Sequence, residues 1–66
     1  MWMIRGYKYV KPHYLKTTSD GFKWTIYDTQ ATQFKNKDEA LALAEKAKRS
    51  KWIVRVSVID ASVYNG

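Results

Sequence analysis

Three stretches of the chain alternate apolar and polar side chains with the period of two that a half-buried β-strand requires. Residues 2–11 are rich in β-branched and aromatic types, with Trp2 and Ile4 on one side and Arg5, Tyr7 and Tyr9 on the other. Gly6 interrupts this stretch as a candidate bulge. Pro12 predicts its end or an edge position, because proline brings no N–H to a ladder. Over residues 22–28, Phe22, Trp24 and Ile26 share one face, and Lys23, Thr25 and Tyr27 the other. Over residues 52–59, Trp52, Val54, Val56 and Val58 alternate with Ile53, Arg55, Ser57 and Ile59. The turn-forming run at 17–21 closes on Asp20 and Gly21, a hairpin signal. Residues 28–30 are polar enough to turn, and residues 31–34 are expected to add a short strand.

Between the second and last of these stretches the period changes to that of a helix. Asn36 stands as N-cap with Glu39 three positions on, the spacing of a capping box. Asp38 and Glu39 fall in the first turn and Lys46, Lys48 and Arg49 in the last, each sign at the end of the macrodipole that it complements. At 100° per residue, Ala40, Leu43, Ala44 and Ala47 line one face, with Leu41 at its margin; Ala42, Glu45, Lys46 and Arg49 lie opposite. Residues 60–66 read as a tail or a strand extension. The order β-β-(β)-α-β predicts a single α+β domain over residues 1–66. One helix packs on one face of a small, mainly antiparallel sheet of three to four strands.

Length makes this architecture demanding. A chain of 66 residues buries only about 60% of its unfolded surface. No cysteine is present to staple it, so large side chains must build the core; Trp2, Phe22, Trp24, Phe34 and Trp52 are the expected suppliers. Hydrophobic residues at 45% and ten aromatics (three Trp, five Tyr, two Phe) exclude intrinsic disorder. No apolar run approaches the roughly 20 residues of a membrane span. Arg5 and Lys8 within the first ten residues are unlike a signal peptide. These features predict a soluble, cytoplasmic domain.

Little chemistry is on offer. One histidine and no cysteine remove most transition-metal sites and thiol catalysis. The glycines stand apart at 6, 21 and 66, so there is no phosphate-cradling loop. His13, directly after Pro12, reads as a surface residue. Asp38 and Glu39 are accounted for by capping, and no pair of carboxylates flanks an apolar cleft. The expectation is a protein that is not an enzyme and carries no cofactor or metal.

Charge changes the picture more. Lys and Arg number 12 against six Asp and Glu, a net charge of +6. Residues 1–19 hold Arg5, Lys8, Lys11 and Lys16 with no acid, and residues 46–55 hold Lys46, Lys48, Arg49, Lys51 and Arg55, again with none. Clustered cations favour polyanions through counterion release. A single helix covers one face of a sheet and leaves the other open. On the alternation above, that face interleaves Arg5, Lys23 and Arg55 with Tyr7, Tyr9 and Tyr27, cations for phosphates beside rings for bases or sugars. Lys48, Arg49 and Lys51 extend the basic surface. Each of these residues also has a plain structural explanation, in cross-strand Tyr–Lys and Tyr–Arg pairs and helix-terminal cations.

The run FKNKDEA at residues 34–40, which follows an aromatic strand and opens the helix, resembles the N-terminal arm-binding domain of tyrosine-type phage and transposon integrases. The resemblance covers residues 22–47. It implies a three-stranded sheet set in the DNA major groove and backed by one helix, and a phage or mobile-element origin. The strand pattern of residues 52–59 departs from that family and is similar to small phage and prophage proteins of order β-β-β-α-β. Two functions follow as expectations. One is a nucleic-acid-binding module, DNA foremost, using the open sheet face. The other is a protein-interaction module, either an inhibitor of an acidic host protein or a homodimer through that face.

Overall fold

A computed structural model describes residues 1–64, with side chains described through Ser62. Four strands, β1 (Trp2–Lys8), β2 (Lys11–Thr18), β3 (Gly21–Thr25) and β4 (Val54–Asp60), form one antiparallel sheet in the order β3-β2-β1-β4. Helix α1 (Lys37–Ala47) packs on one face, so the α+β class expected from the sequence is what the chain adopts.

The second hairpin follows its turn chemistry. Thr18 pairs with Gly21 across Ser19 and Asp20, and Gly21 takes a φ of 139° that only glycine adopts readily. The first hairpin has no such signal. The stretch expected as one strand over residues 2–11 folds back at Tyr9 and Val10, and Lys8 pairs with Lys11. Tyr9 has φ 59°, the sign a type II′ turn needs at its first central residue, where glycine is preferred. Tyr9 is therefore a turn residue and no part of a strand face. Pro12 lies inside β2 opposite Tyr7. In a two-residue hairpin this second pair is not hydrogen-bonded, so the missing N–H points toward β3. That strand stops at Thr25, opposite Tyr14, and proline breaks no bond.

Gly6 marks a bulge, although the extra residue is on the partner strand. Arg5 pairs with Ser57 and Tyr7 with Val54, so Gly6 faces both Arg55 and Val56. Arg55 has φ 56°, the left-handed conformation of the first residue in a G1 bulge, usually glycine. The bulge reverses the phase of β4. Val56 and Val58 face the helix as expected, but Val54 crosses to the other face and is exposed. The alternation expected over residues 52–59 fails at its start for this reason. Ile53 turns inward, 7% exposed, while Trp52 turns out, 64% exposed, and leaves the core to which it was assigned.

The helix-side core joins Ile4, Leu15, Phe34, Ala40, Ala44 and Ala47, with Trp2, Phe22, Trp24, Val56 and Val58 packed around them. Phe22 and Trp24 meet edge to face, with centroids 6.3 Å apart. The alanine face of α1 matches its 3.6-residue period, and Asn36 caps it by accepting the Asp38 amide at 2.8 Å. That bond goes to the second helical position, where a capping box uses the third.

The second face is less open than one helix per sheet implies. Met3, Tyr14, Ala31 and Ala61 form a separate buried cluster there, with Ile59 against it. Residues 31–34 make no strand. After the 3-10 turn Asp28–Gln30, Ala31 lies under Tyr14, the Thr32 amide donates to the Leu15 carbonyl at 3.1 Å, and Phe34 exchanges two 2.7 Å backbone bonds with Trp2. The segment thus passes from one face to the other through the gap that opens between β1 and β2. Nor do residues 60–64 form a loose tail. Asp60 ends β4, Ala61 to Tyr64 form a second 3-10 turn, and the Ala61 amide donates to the Met1 carbonyl. Asp60 accepts bonds from the amide and hydroxyl of Ser62, which hold its carboxyl below the usual range. Residues 65 and 66 of the expected tail lie outside the described residues.

A Cβ at Gly6 would overlap Ile53 Cγ2 and stand 3.2 Å from the Trp24 ring. Gly6→Ala is expected to destabilise the protein by about 1–3 kcal/mol, as overpacking of a filled site does. Urea unfolding of the two proteins measures the difference.

Candidate nucleic-acid interface

Topology brings the second basic block to one end of the molecule beside Lys8 and Lys11 of the first, while Arg5 and Lys16 lie farther along the sheet. β1 and β2 turn at Tyr9 and Val10, α1 delivers Lys48 and Arg49 beyond its last turn, and β4 begins opposite Tyr7. Residues 48–55 therefore run alongside the β1–β2 turn. Lys8 and His13 from the hairpin meet Ser50, Lys51, Trp52 and Ile53 around an open cleft of about 350 Å³, with Trp24 also in its lining. Lys11 sits across the ladder from Lys8, and Arg55 stands on the bulge.

Aromatic surface accompanies this charge. Trp52 is exposed, with the Lys51 ammonium 5.6 Å from its ring centroid. Tyr9, 82% exposed, projects at the hairpin tip beside Val10. Trp24 is held in place because its Nε1–H donates to Ser50 Oγ at 3.1 Å. His13 Nδ1 lies 3.1 Å from the Lys11 carbonyl; a carbonyl only accepts, so Nδ1–H is the donor in that contact.

Four of the six acids lie elsewhere. Asp38 and Glu39 open α1 beside the Phe34–Trp2 bridge, Asp60 pairs with Trp2, and Asp20 is in the β2–β3 turn, all at the opposite end of the sheet, where Lys16 and Lys23 also pair. Glu45 is tied to Lys48 at 2.9 Å, and Asp28 opens the 3-10 turn that follows β3. The excess positive charge thus gathers toward one end of the sheet.

The residues expected to share an open sheet face are divided. Arg5, Tyr7 and Lys23 do lie on the second face, where the Arg5 guanidinium sits 5.4 Å from the Tyr7 ring centroid and Lys23 stands opposite Lys16. Tyr9 is in the turn. Tyr27 follows the end of β3, exposed, its amide donating to Thr25 Oγ1 at 3.2 Å. Arg55 is displaced by the bulge. Lys48, Arg49 and Lys51 gather at the basic end. The parts not anticipated as a site are Lys8, His13, Ser50 and Trp52. Trp52 reads as core from its alternation, but it lies in a turn before β4, whose phase the bulge reverses; an isolated glycine in a facing strand is the signal that could have raised the possibility.

No family model, curated protein or solved structure matches this chain. Among the described residues no cluster of three or more His, Asp or Glu side chains could hold a metal ion, and no helix is long and apolar enough to cross a membrane.

Among the described residues, the non-glycine positions with positive φ are Tyr9 and Arg55, and both belong to this end. A left-handed conformation costs a side-chain-bearing residue about 1–2 kcal/mol. Tyr9→Gly and Arg55→Gly are each expected to raise thermal stability, by about 0.5–1 kcal/mol after the added unfolded-state entropy of glycine. Differential scanning calorimetry reads the shift.

Proposed function

We propose that this protein is a small, non-enzymatic nucleic-acid-binding module of the cytoplasm, and that it engages its ligand with the basic end of the sheet. Lys8, Lys11, Lys51 and Arg55 neutralise phosphates, Lys48 and Arg49 add longer-range attraction, and Trp52 and Tyr9 supply apolar contact. The observation that carries this is the shared cleft of Lys8 and Lys51. It joins one basic block to the other beside an indole whose exposure serves no purpose in the core. A basic end remote from most acids also orients the molecule as it approaches a polyanion and speeds encounter.

The second face fits this role less well. Ala31 and Ala61 cover part of it, which leaves less of the sheet open to a groove than the integrase resemblance implies. DNA is the first choice of ligand on that resemblance alone.

The test is fluorescence anisotropy with a labelled oligonucleotide at two salt concentrations. Four phosphate contacts on a single strand predict a loss of affinity of about 50-fold between about 50 and about 200 mM NaCl. The double variant Lys8→Gln, Lys51→Gln is expected to bind more weakly and to flatten the log–log salt slope by about 1.4. Affinity indifferent to salt, or a slope unchanged in the double variant, contradicts the proposal.

A further inference from the structure

We infer, resting on the nucleic-acid reading above, that the cleft at the basic end takes one unpaired nucleotide, its base stacked on Trp52 and its phosphates met by Lys8 and Lys51. In a duplex both faces of each base are covered by its neighbours. An exposed indole set among cations therefore offers stacking to a base that has left the helix or was never in one. Trp52 meets that description, with Lys51 beside its ring and Lys8 on the same cleft.

Size and polar groups agree with a single nucleotide. The cleft of about 350 Å³ lies at the small end of the roughly 300–1,000 Å³ range of small-ligand sites, far below what a duplex edge would occupy. Two polar groups in its lining have capacity to spare. Ser50 Oγ already accepts the Trp24 Nε1–H, which leaves its own O–H to donate. His13 gives Nδ1–H to the Lys11 carbonyl, which leaves Nε2 for a ligand. A hydroxyl donor and a ring nitrogen in the lining, next to a stacking ring, suit the hydrogen-bonding edge of a base. The indole supplies affinity without base preference, and the Ser50–His13 pair is the part able to discriminate.

The experiment compares an oligothymidylate of about 12 nucleotides with a hairpin duplex of equal length, both by anisotropy at about 50 mM NaCl. The single strand is expected to bind about 10-fold tighter or more. Trp52→Ala is expected to lose about 10-fold on the single strand while its salt slope stays that of the parent, because no charge is removed. Trp52→Phe, which keeps a ring, should retain most of the affinity. A duplex bound as tightly as the single strand overturns the inference, as does a folded Trp52→Ala variant with parental affinity; either result leaves the nucleic-acid reading in place. Absence of salt-dependent binding to both probes overturns that reading and the inference together. Circular dichroism confirms that Trp52→Ala is folded. Should it not be, the strand preference of the parent protein decides the matter without a variant.

Discussion

The contact on which the rest of this small structure turns is the one between Ile53 and the bare backbone of Gly6. Because Gly6 has no Cβ, Ile53 and Trp24 close over it on the helix side. On the neighbouring strand, Arg55 and Val56 stand where one residue would normally pair. These two features go together. The bulge supplies the residue that lets the chain change phase, and the glycine makes room for the side chain that turns inward. Ile53 is buried, Trp52 in the turn before β4 is exposed, and Lys51 lines the cleft that Lys8 enters from β1.

A second consequence is electrostatic. An antiparallel sheet with one helix has two ends, and the chain places its charges unequally between them. The helix dipole accounts for part of this, with acids in the first turn of α1 and cations at its last. Lys8 and Lys11 at the hairpin and Arg55 on the bulge are not helix-cap residues and extend the same polarity across the sheet. Exposed cations this close repel one another. Against that cost stands a steering field aimed through one end of the molecule. The same end holds Tyr9 and Arg55, the left-handed non-glycine residues among those described. Glycine would relieve the strain at both positions, so local strain is concentrated at the end that carries the proposed interface.

Helix and class were legible from sequence because their signals are local and redundant. Asn36, the charged first and last turns and the alanine stripe all indicate the same element. Asp20 and Gly21 marked their hairpin equally clearly. The turn at Tyr9 and Val10 was hidden because neither residue is a turn former; the ladder on both sides imposes the conformation against local preference. The reversal at Arg55 was hidden for a related reason. Alternation assigns faces only while pairing stays in register, and a single extra residue exchanges every face beyond it. Gly6 was visible as a possible bulge, but its strand and the strand carrying the extra residue were different. Residues 31–34 have the composition of a strand and serve as a crossing segment, since their bonding partners, Trp2 and Leu15, are far away in sequence. The site shared this fate. Its lysines are visible as blocks, while alternation alone places Trp52 in the core.

On the proposed reading the basic end, and not the second face of the sheet, is the surface that meets nucleic acid. Amide chemical-shift mapping by ¹⁵N–¹H NMR, with oligothymidylate added stepwise at low salt, distinguishes the two. The largest shifts are expected at the amides of Lys8, Tyr9, Val10, Lys11 and His13, over residues 50–55 and at the Trp52 indole N–H, with little change at Met3, Tyr14 or Lys23. Shifts centred on Arg5, Tyr7 and Lys23 instead, with Trp52 unmoved, would contradict that reading.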